Sequence, residues 1–270
     1  MEKVTIKGLD INYERKGEGT PLLVLHGWGA SSESWQKVQE NLSGFELIIP
    51  DLPGFGESDD PPEPWTIKDY LNFIQVFIEK LNLDEFYLVG HSFGGSLAVK
   101  FAITAPDKVK KLILIDSAGI KPKPKLMVRA LKFMARKGKG LASLLVGPLS
   151  HFKEPSKELF YKLIENTDYG SSNEVMKETM KNIFDYYTKT DNKELSSEQR
   201  GKFISDLEKV KNQTLLIWGE EDKIIPLEYG KVFNKKINNS TLKIISDVWH
   251  SPHLKSPLKL VQIIDDYLST

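Results

Sequence analysis

The segment Gly90-His91-Ser92-Phe93-Gly94 constrains the fold of this chain more than any other. The apolar run Phe86-Tyr87-Leu88-Val89 leads into it, and a helix-compatible stretch, Gly95 through Ala105, leads out. Strand, tight turn and helix form the context in which Gly-x-Ser-x-Gly holds a serine hydroxyl at the top of a sheet. A turn that sharp strains the serine backbone. The flanking glycines carry no Cβ, so strand and helix can pass closely. A helix N-terminus beneath the hydroxyl favours negative charge there.

A serine presented in this way predicts an acid and then a histidine later in the chain. Thr214-Leu215-Leu216-Ile217-Trp218 reads as a buried strand and is followed by Gly219-Glu220-Glu221-Asp222. Thr241-Leu242-Lys243-Ile244-Ile245 reads as another, followed by Ser246-Asp247-Val248-Trp249-His250. Asp222 and His250 thus each sit on a loop just past a strand. In an open α/β sheet such loops gather at the carboxyl ends of the strands, where ligands bind. Ser92 is then the predicted nucleophile and His250 its general base. Asp222 is the predicted acid that holds the imidazole in the right tautomer. Asp116, at the end of the run Leu112 to Ile115, is a rival for that role, with Glu220 and Glu221 weaker ones.

Upstream, Leu22-Leu23-Val24-Leu25 runs into His26-Gly27-Trp28-Gly29. That loop is the expected source of a second oxyanion donor, so the backbone N–H groups of Trp28 and Phe93 are the candidates. His26 reads as a buried brace for the loop. His250 and His253 are spaced like metal ligands, but no third ligand lies nearby. His250 is therefore read as the base and His253 as structural, and neither a metal nor an organic cofactor is expected.

Apolar runs recur as strands at Leu22–Leu25, Glu46–Ile49, Phe86–Val89, Leu112–Ile115, Leu215–Trp218 and Leu242–Ile245. Val4–Lys7 and Ile11–Glu14 suggest an edge hairpin joined near Gly8-Leu9-Asp10. Tyr70, Phe73, Ile74, Phe77 and Ile78 mark one helical stripe, and Leu260, Val261, Ile264 and Leu268 another. Strands alternating with helices predict a mostly parallel, eight-stranded α/β sheet with helices on both faces.

The 270 residues carry equal numbers of basic and acidic side chains, so nothing global points to nucleic acid. There is no cysteine, which excludes disulfides and thiolate chemistry and agrees with a cytoplasmic, reducing compartment. The start, Met1-Glu2-Lys3-Val4-Thr5-Ile6, suggests a strand and no signal peptide, and no apolar run reaches bilayer length. Lys121 to Lys139 is locally basic with an apolar side, which makes it a candidate contact for an anionic partner.

His26 to Gly29, Asp51 to Ser58, Gly90 to Gly95, Gly219 to Pro226 and His250-Ser251-Pro252 resemble the α/β-hydrolase superfamily over nearly the whole chain. The loops at 26–29 and 51–56 look like those of pimeloyl-carrier-protein methyl ester esterases and related carboxylesterases. The resemblance implies a helical cap after the sixth strand, giving a core of residues 1–118 and 186–270 and a cap of 119–185. It implies a serine esterase for small to medium acyl esters. The same triad serves carbon–carbon hydrolases of ring-cleavage dienoates, lactonases and slow-turnover receptors. Trp28, Phe133, Met134 and Trp249 are the expected substrate contacts. Two departures from the family pattern are Trp249, where a small residue is usual, and Lys255, where an acid often lies.

Overall fold

The computed structural model describes residues 1–120, 174–188 and 202–270. Its strands are β1 (Glu2–Ile6), β2 (Leu9–Lys16), β3 (Thr20–Leu25), β4 (Phe45–Pro50), β5 (Phe86–His91), β6 (Val109–Ile115), β7 (Thr214–Gly219) and β8 (Ser240–Ile245). They form one sheet in the order β1-β2-β4-β3-β5-β6-β7-β8. β1, β2 and β4 pair antiparallel, and every other neighbouring pair is parallel. The eight expected strands are all present.

The hairpin differs in its turn. Ile6 pairs with Leu9 and Thr5 with Asp10, so the connection is only Lys7-Gly8. Both residues have positive φ, 49° and 85°. That geometry matches the right-handed twist of the flanking strands, so pairing starts at Leu9 rather than after Asp10.

Side chains alternate between the two sheet faces along each central strand. Leu23, Leu25, Leu88, Leu112, Leu114, Leu216 and Trp218 join one core. Leu22, Val24, Val89, Ile113, Ile115, Leu215 and Ile217 join the other. The first core is covered by α2 (Ile67–Lys80), α3 (Phe93–Thr104), α4 (Glu174–Thr188), α5 (Lys202–Leu207) and α6 (Leu227–Lys236). The second lies under α1 (Gln36–Asn41) and the last helix, Pro257–Leu268. α2 starts where the Asp69 carboxylate accepts hydrogen bonds from the Thr66 N–H (2.8 Å) and hydroxyl (2.7 Å). It buries the expected stripe of Tyr70, Phe73, Ile74, Phe77 and Ile78. Burying each such side chain contributes roughly 1.5–3 kcal/mol before conformational entropy is set against it. In the last helix Leu260, Ile264 and Leu268 are buried and Val261 is partly so.

β3 is where the topology reverses. The chain leaves it toward β4 on one side and returns as β5 on the other. The crevice at the carboxyl ends of β3 and β5 is the position where open α/β sheets bind ligands. Of the expected cap, 119–185, only the first two residues and α4 up to residue 185 are described. Met176, Ile183 and Tyr187 of α4 belong to the first core. α4 also meets the loop before α2, where Thr179 Oγ1 accepts from the Trp65 N–H at 2.9 Å. Phe133, Met134 and the basic run Lys121 to Lys139 lie outside the described residues. No helix among the described residues is long and apolar enough to cross a membrane.

Candidate active site

Ser92 stands between β5 and α3 with φ 52° and ψ −116°, a left-handed conformation for a residue with a Cβ. Such a conformation costs ~1–3 kcal/mol and persists only where its surroundings fix it. Here they do. The Ser92 N–H donates to the Ile115 carbonyl at 3.0 Å, and its own carbonyl accepts from Gly95 (3.0 Å) and Ala118 (2.9 Å). A Cβ on Gly94 would fall on the Leu25 carbonyl, so only glycine lets α3 sit this close to β3.

Two loops bring the partners. His250 Nε2 lies 2.9 Å from Ser92 Oγ, and His250 Nδ1 lies 2.7 Å from Asp222 Oδ2. An ionised carboxylate only accepts, so Nδ1 carries the proton and Nε2 is left to accept from the serine hydroxyl. Asp222 Oδ1 accepts from the N–H groups of Ile224 (2.7 Å) and Ile225 (2.9 Å). Those bonds fix the carboxylate plane. The two other acids of this loop lie elsewhere. Glu221 accepts from Trp249 Nε1 at 2.6 Å near the surface, and Glu220 is exposed.

The loop after β3 closes over the serine. A Cβ on Gly27 would stand 2.8 Å from His91 Nδ1 and 3.2 Å from the Ser92 Cβ. Trp28 packs edge-on against Phe55 (4.9 Å between centroids) and Phe93 (5.4 Å). Phe93 opens α3, so its N–H belongs to the first turn, which has no partner within the helix. His26 is fully buried; its Nδ1 faces the Gly27 carbonyl at 2.8 Å, and its Nε2 accepts from the Leu52 N–H at 2.9 Å. It thereby braces this loop. Asp51 completes the support, accepting from the N–H groups of Ser32 (2.7 Å) and Glu57 (2.9 Å).

A cleft of about 530 Å³ runs from Ser92 and His250 past Gly27, Trp28 and Ser31 to Glu33, His253 and Leu254. Trp249 is not among its lining residues. It is 50% exposed beside the cleft, with Lys223 Nζ 4.7 Å over its ring. His253 is buried and stacks on Trp35, with centroids 4.7 Å apart.

Two further residues lie beside Ser92, Asp222 and His250: His91, which sequence reasoning missed, and Asp116, which it offered only as a rival acid. His91 Nε2 donates to the His250 carbonyl at 2.7 Å, which ties His250 to the strand that leads into Ser92. Asp116 is fully buried, and its Oδ1 accepts from the Gly219 N–H at 2.9 Å. The only sequence signal for either is a polar residue closing an apolar strand. His91, Asp116 and His250 bring ligand-type atoms within 4.8 Å of one another. Both nitrogens of His250 are already engaged, and so is Nε2 of His91, so the cluster reads as a hydrogen-bond network rather than a metal cradle.

Burial holds the His26 and His91 imidazoles below the usual histidine pKa, and for His91 the neighbouring His253 and His250 add to this. The unfolded chain takes up these protons below about pH 6.5 while the fold resists them. Stability contributed by the two histidines is therefore lost as pH falls from about 6.5 toward their folded pKa values. Asp116 titrates in the opposite sense, since burial and then the charge of Asp222 push its carboxyl well above the usual range. In an Asp116→Asn background, the urea midpoint is expected to drop between pH 7.5 and pH 5. An unchanged midpoint would mean that the imidazoles protonate within the fold.

The alpha/beta hydrolase fold family matches residues 20–257. Lipase 1 of Psychrobacter immobilis is 30% identical over 268 residues, covering 92% of this chain and 76% of that protein. The 2-hydroxy-6-oxononadienedioate/2-hydroxy-6-oxononatrienedioate hydrolase 1 of Pseudomonas putida is 28% identical over 258 residues, covering 90% and 86%. Among solved structures, lip1 of Acinetobacter baumannii AYE is 25% identical with a TM-score of 0.75, covering 99% of this chain and 90% of that one.

Proposed function

The chain belongs to the α/β-hydrolase fold family, and we propose that it is a serine hydrolase of carboxylic esters with small to medium acyl groups. The observation that carries this reading is the hydrogen-bonded line from Asp222 through His250 to Ser92, opening on the cleft. In this reading His250 Nε2 takes the Ser92 proton as Oγ attacks the ester carbonyl. Asp222 stabilises the imidazolium that forms. The N–H groups of Trp28 and Phe93 receive the oxyanion, and one such donor is typically worth about 3 kcal/mol. His250 then protonates the departing alcohol. Water, deprotonated by the same imidazole, releases the acid from the acyl-enzyme and restores Ser92. Residues 119–185 are read as the cap from their place in the chain after β6.

The relatives named as dienoate hydrolases support a second reading, cleavage of a carbon–carbon bond by the same triad. Such substrates are carboxylates. Among the described residues lining the cleft there is a glutamate, Glu33, and no lysine or arginine. That described lining suits a neutral ester better than a dianionic dienoate, because the described residues offer an anion no opposite charge there. The experiment compares p-nitrophenyl esters from acetate to octanoate, a lactone and a dienoate ring-cleavage product. Rapid multiple turnover of esters is expected. Turnover of the dienoate alone would move the assignment to the second reading, and a single burst would indicate a slow-turnover receptor.

A further inference from the structure

We propose that Asp116 is a positioning residue for the acid of the triad: its carboxyl keeps a proton and donates it in a hydrogen bond to the Asp222 carboxylate. The proposal rests on the reading of Ser92, His250 and Asp222 as a triad.

Asp116 follows β6 directly and is pinned from several sides. Its φ is 44°, and its N–H donates to the Ile217 carbonyl at 3.0 Å. Oδ1 takes the Gly219 N–H at 2.9 Å, and the Gly219 carbonyl accepts from the Asp222 N–H at 3.2 Å. One residue, Gly219, therefore ties the Asp116 carboxyl and the Asp222 backbone together across the end of β7.

The second oxygen is the informative one. Asp116 Oδ2 is fully buried and has no hydrogen-bond partner among the described groups while it is counted only as an acceptor. Left ionised, it would be an unpaired buried charge, which proteins avoid. Protonated, it becomes a donor for the carboxylate on the other side of Gly219, that of Asp222. Asp222 has room for it. Its oxygens already accept from Ile224, Ile225 and His250, and an ionised carboxylate offers about four acceptor sites.

The ionisable groups facing Asp116 are Asp222 on the loop after β7, His91 at the end of β5 and His250 on the loop after β8. Among the described residues, no lysine or arginine faces it. Two neighbouring buried carboxyl groups do not both ionise readily. Asp222 has the backbone donors and the imidazole, so it takes the charge and Asp116 keeps the proton. A donor fixed on Asp222 opposes rotation of that carboxylate away from His250.

Two variants and one spectrum test this. Asp116→Asn keeps an acceptor for Gly219 and a donor for Asp222; Asp116→Leu loses both. The Asn variant is expected to keep kcat/KM for an ester within about threefold, with the acid limb of its pH profile unmoved. The Leu variant is expected to lose about tenfold or more in kcat. Its acid limb should rise, because an Asp222 that receives one hydrogen bond fewer stabilises the imidazolium better. Equal losses in both variants with unmoved limbs would reduce Asp116 to packing. A limb lowered by about a unit in the Asn variant would mean that Asp116 is an anion beside the imidazolium. Infrared spectra of the resting protein need no substrate. A protonated-carboxyl band at pH 7 in the wild type, lost in Asp116→Asn, is expected, and its absence would overturn the proposal even if the Leu variant fails to fold. The band in a protein that turns over none of the substrates would overturn the triad reading, and the positioning role with it.

Discussion

Ser92→Ala is expected to lower kcat/KM for esters by at least about a thousandfold while leaving the fold intact. The change removes one oxygen, 2.9 Å from His250 Nε2. It leaves the N–H groups of Trp28 and Phe93 and the cleft in place, so a residue of catalysis by water is expected to remain. The backbone bonds that force φ to 52° do not involve the hydroxyl, so alanine inherits the strain and the melting temperature should barely move. Ser92→Gly is the companion experiment. Glycine populates positive φ without the steric cost of a Cβ, so this variant should be inactive yet more stable than Ser92→Ala, by up to ~1 kcal/mol. A stability difference in that direction would show strain held for the sake of the hydroxyl. Should purified Ser92→Ala keep more than about a hundredth of wild-type kcat/KM, a loss of under ~3 kcal/mol, the nucleophile lies elsewhere.

The parts of the fold legible in the sequence are those that obey one short-range rule. β7 is buried throughout and apolar from Leu215 to Trp218 because both of its faces are covered, and α2 repeats its apolar residues at helical spacing. The serine turn was legible because glycines at 90 and 94 have few other reasons to flank it between a strand and a helix. Ser92, Asp222 and His250 were found as three residue types on three strand-end loops, and the sheet brings those loops together. The choice of Asp222 over Asp116 was harder to read. Both residues end at the same edge of the sheet, and what separates them is which backbone donors each carboxyl meets. Asp222 meets Ile224 and Ile225 and turns its other oxygen to His250, whereas Asp116 meets Gly219. The Asp116 contact joins residues 103 positions apart and the Asp222–His250 contact residues 28 apart, and neither leaves a periodic trace. His91 is the same case, since its bond to the His250 carbonyl spans 159 positions. Trp249 was expected at the substrate, but its indole is taken up by Glu221 and Lys223 on the loop after β7.

Asp222→Asn separates the two acids and is expected to lower kcat by about ten-thousandfold, the scale seen when a triad aspartate loses its charge. The reason is tautomeric. The amide oxygen of asparagine would stay on the N–H groups of Ile224 and Ile225, because turning the NH2 toward them would set donors against donors. The NH2 then faces His250 Nδ1, which must accept rather than donate. The imidazole proton moves to Nε2, and Nε2 no longer has a lone pair for the Ser92 proton. Loss of the negative charge also leaves the imidazolium without its partner in a buried setting. The pH profile gives a second reading, because what activity remains should climb with pH as hydroxide replaces the missing base. Nitrogen-15 spectra of His250 should show the proton on Nδ1 in the wild type and on Nε2 in the variant. Asp116→Asn is the control and should stay near wild type. Activity that survives Asp222→Asn but disappears in Asp116→Asn would transfer the role of acid to Asp116.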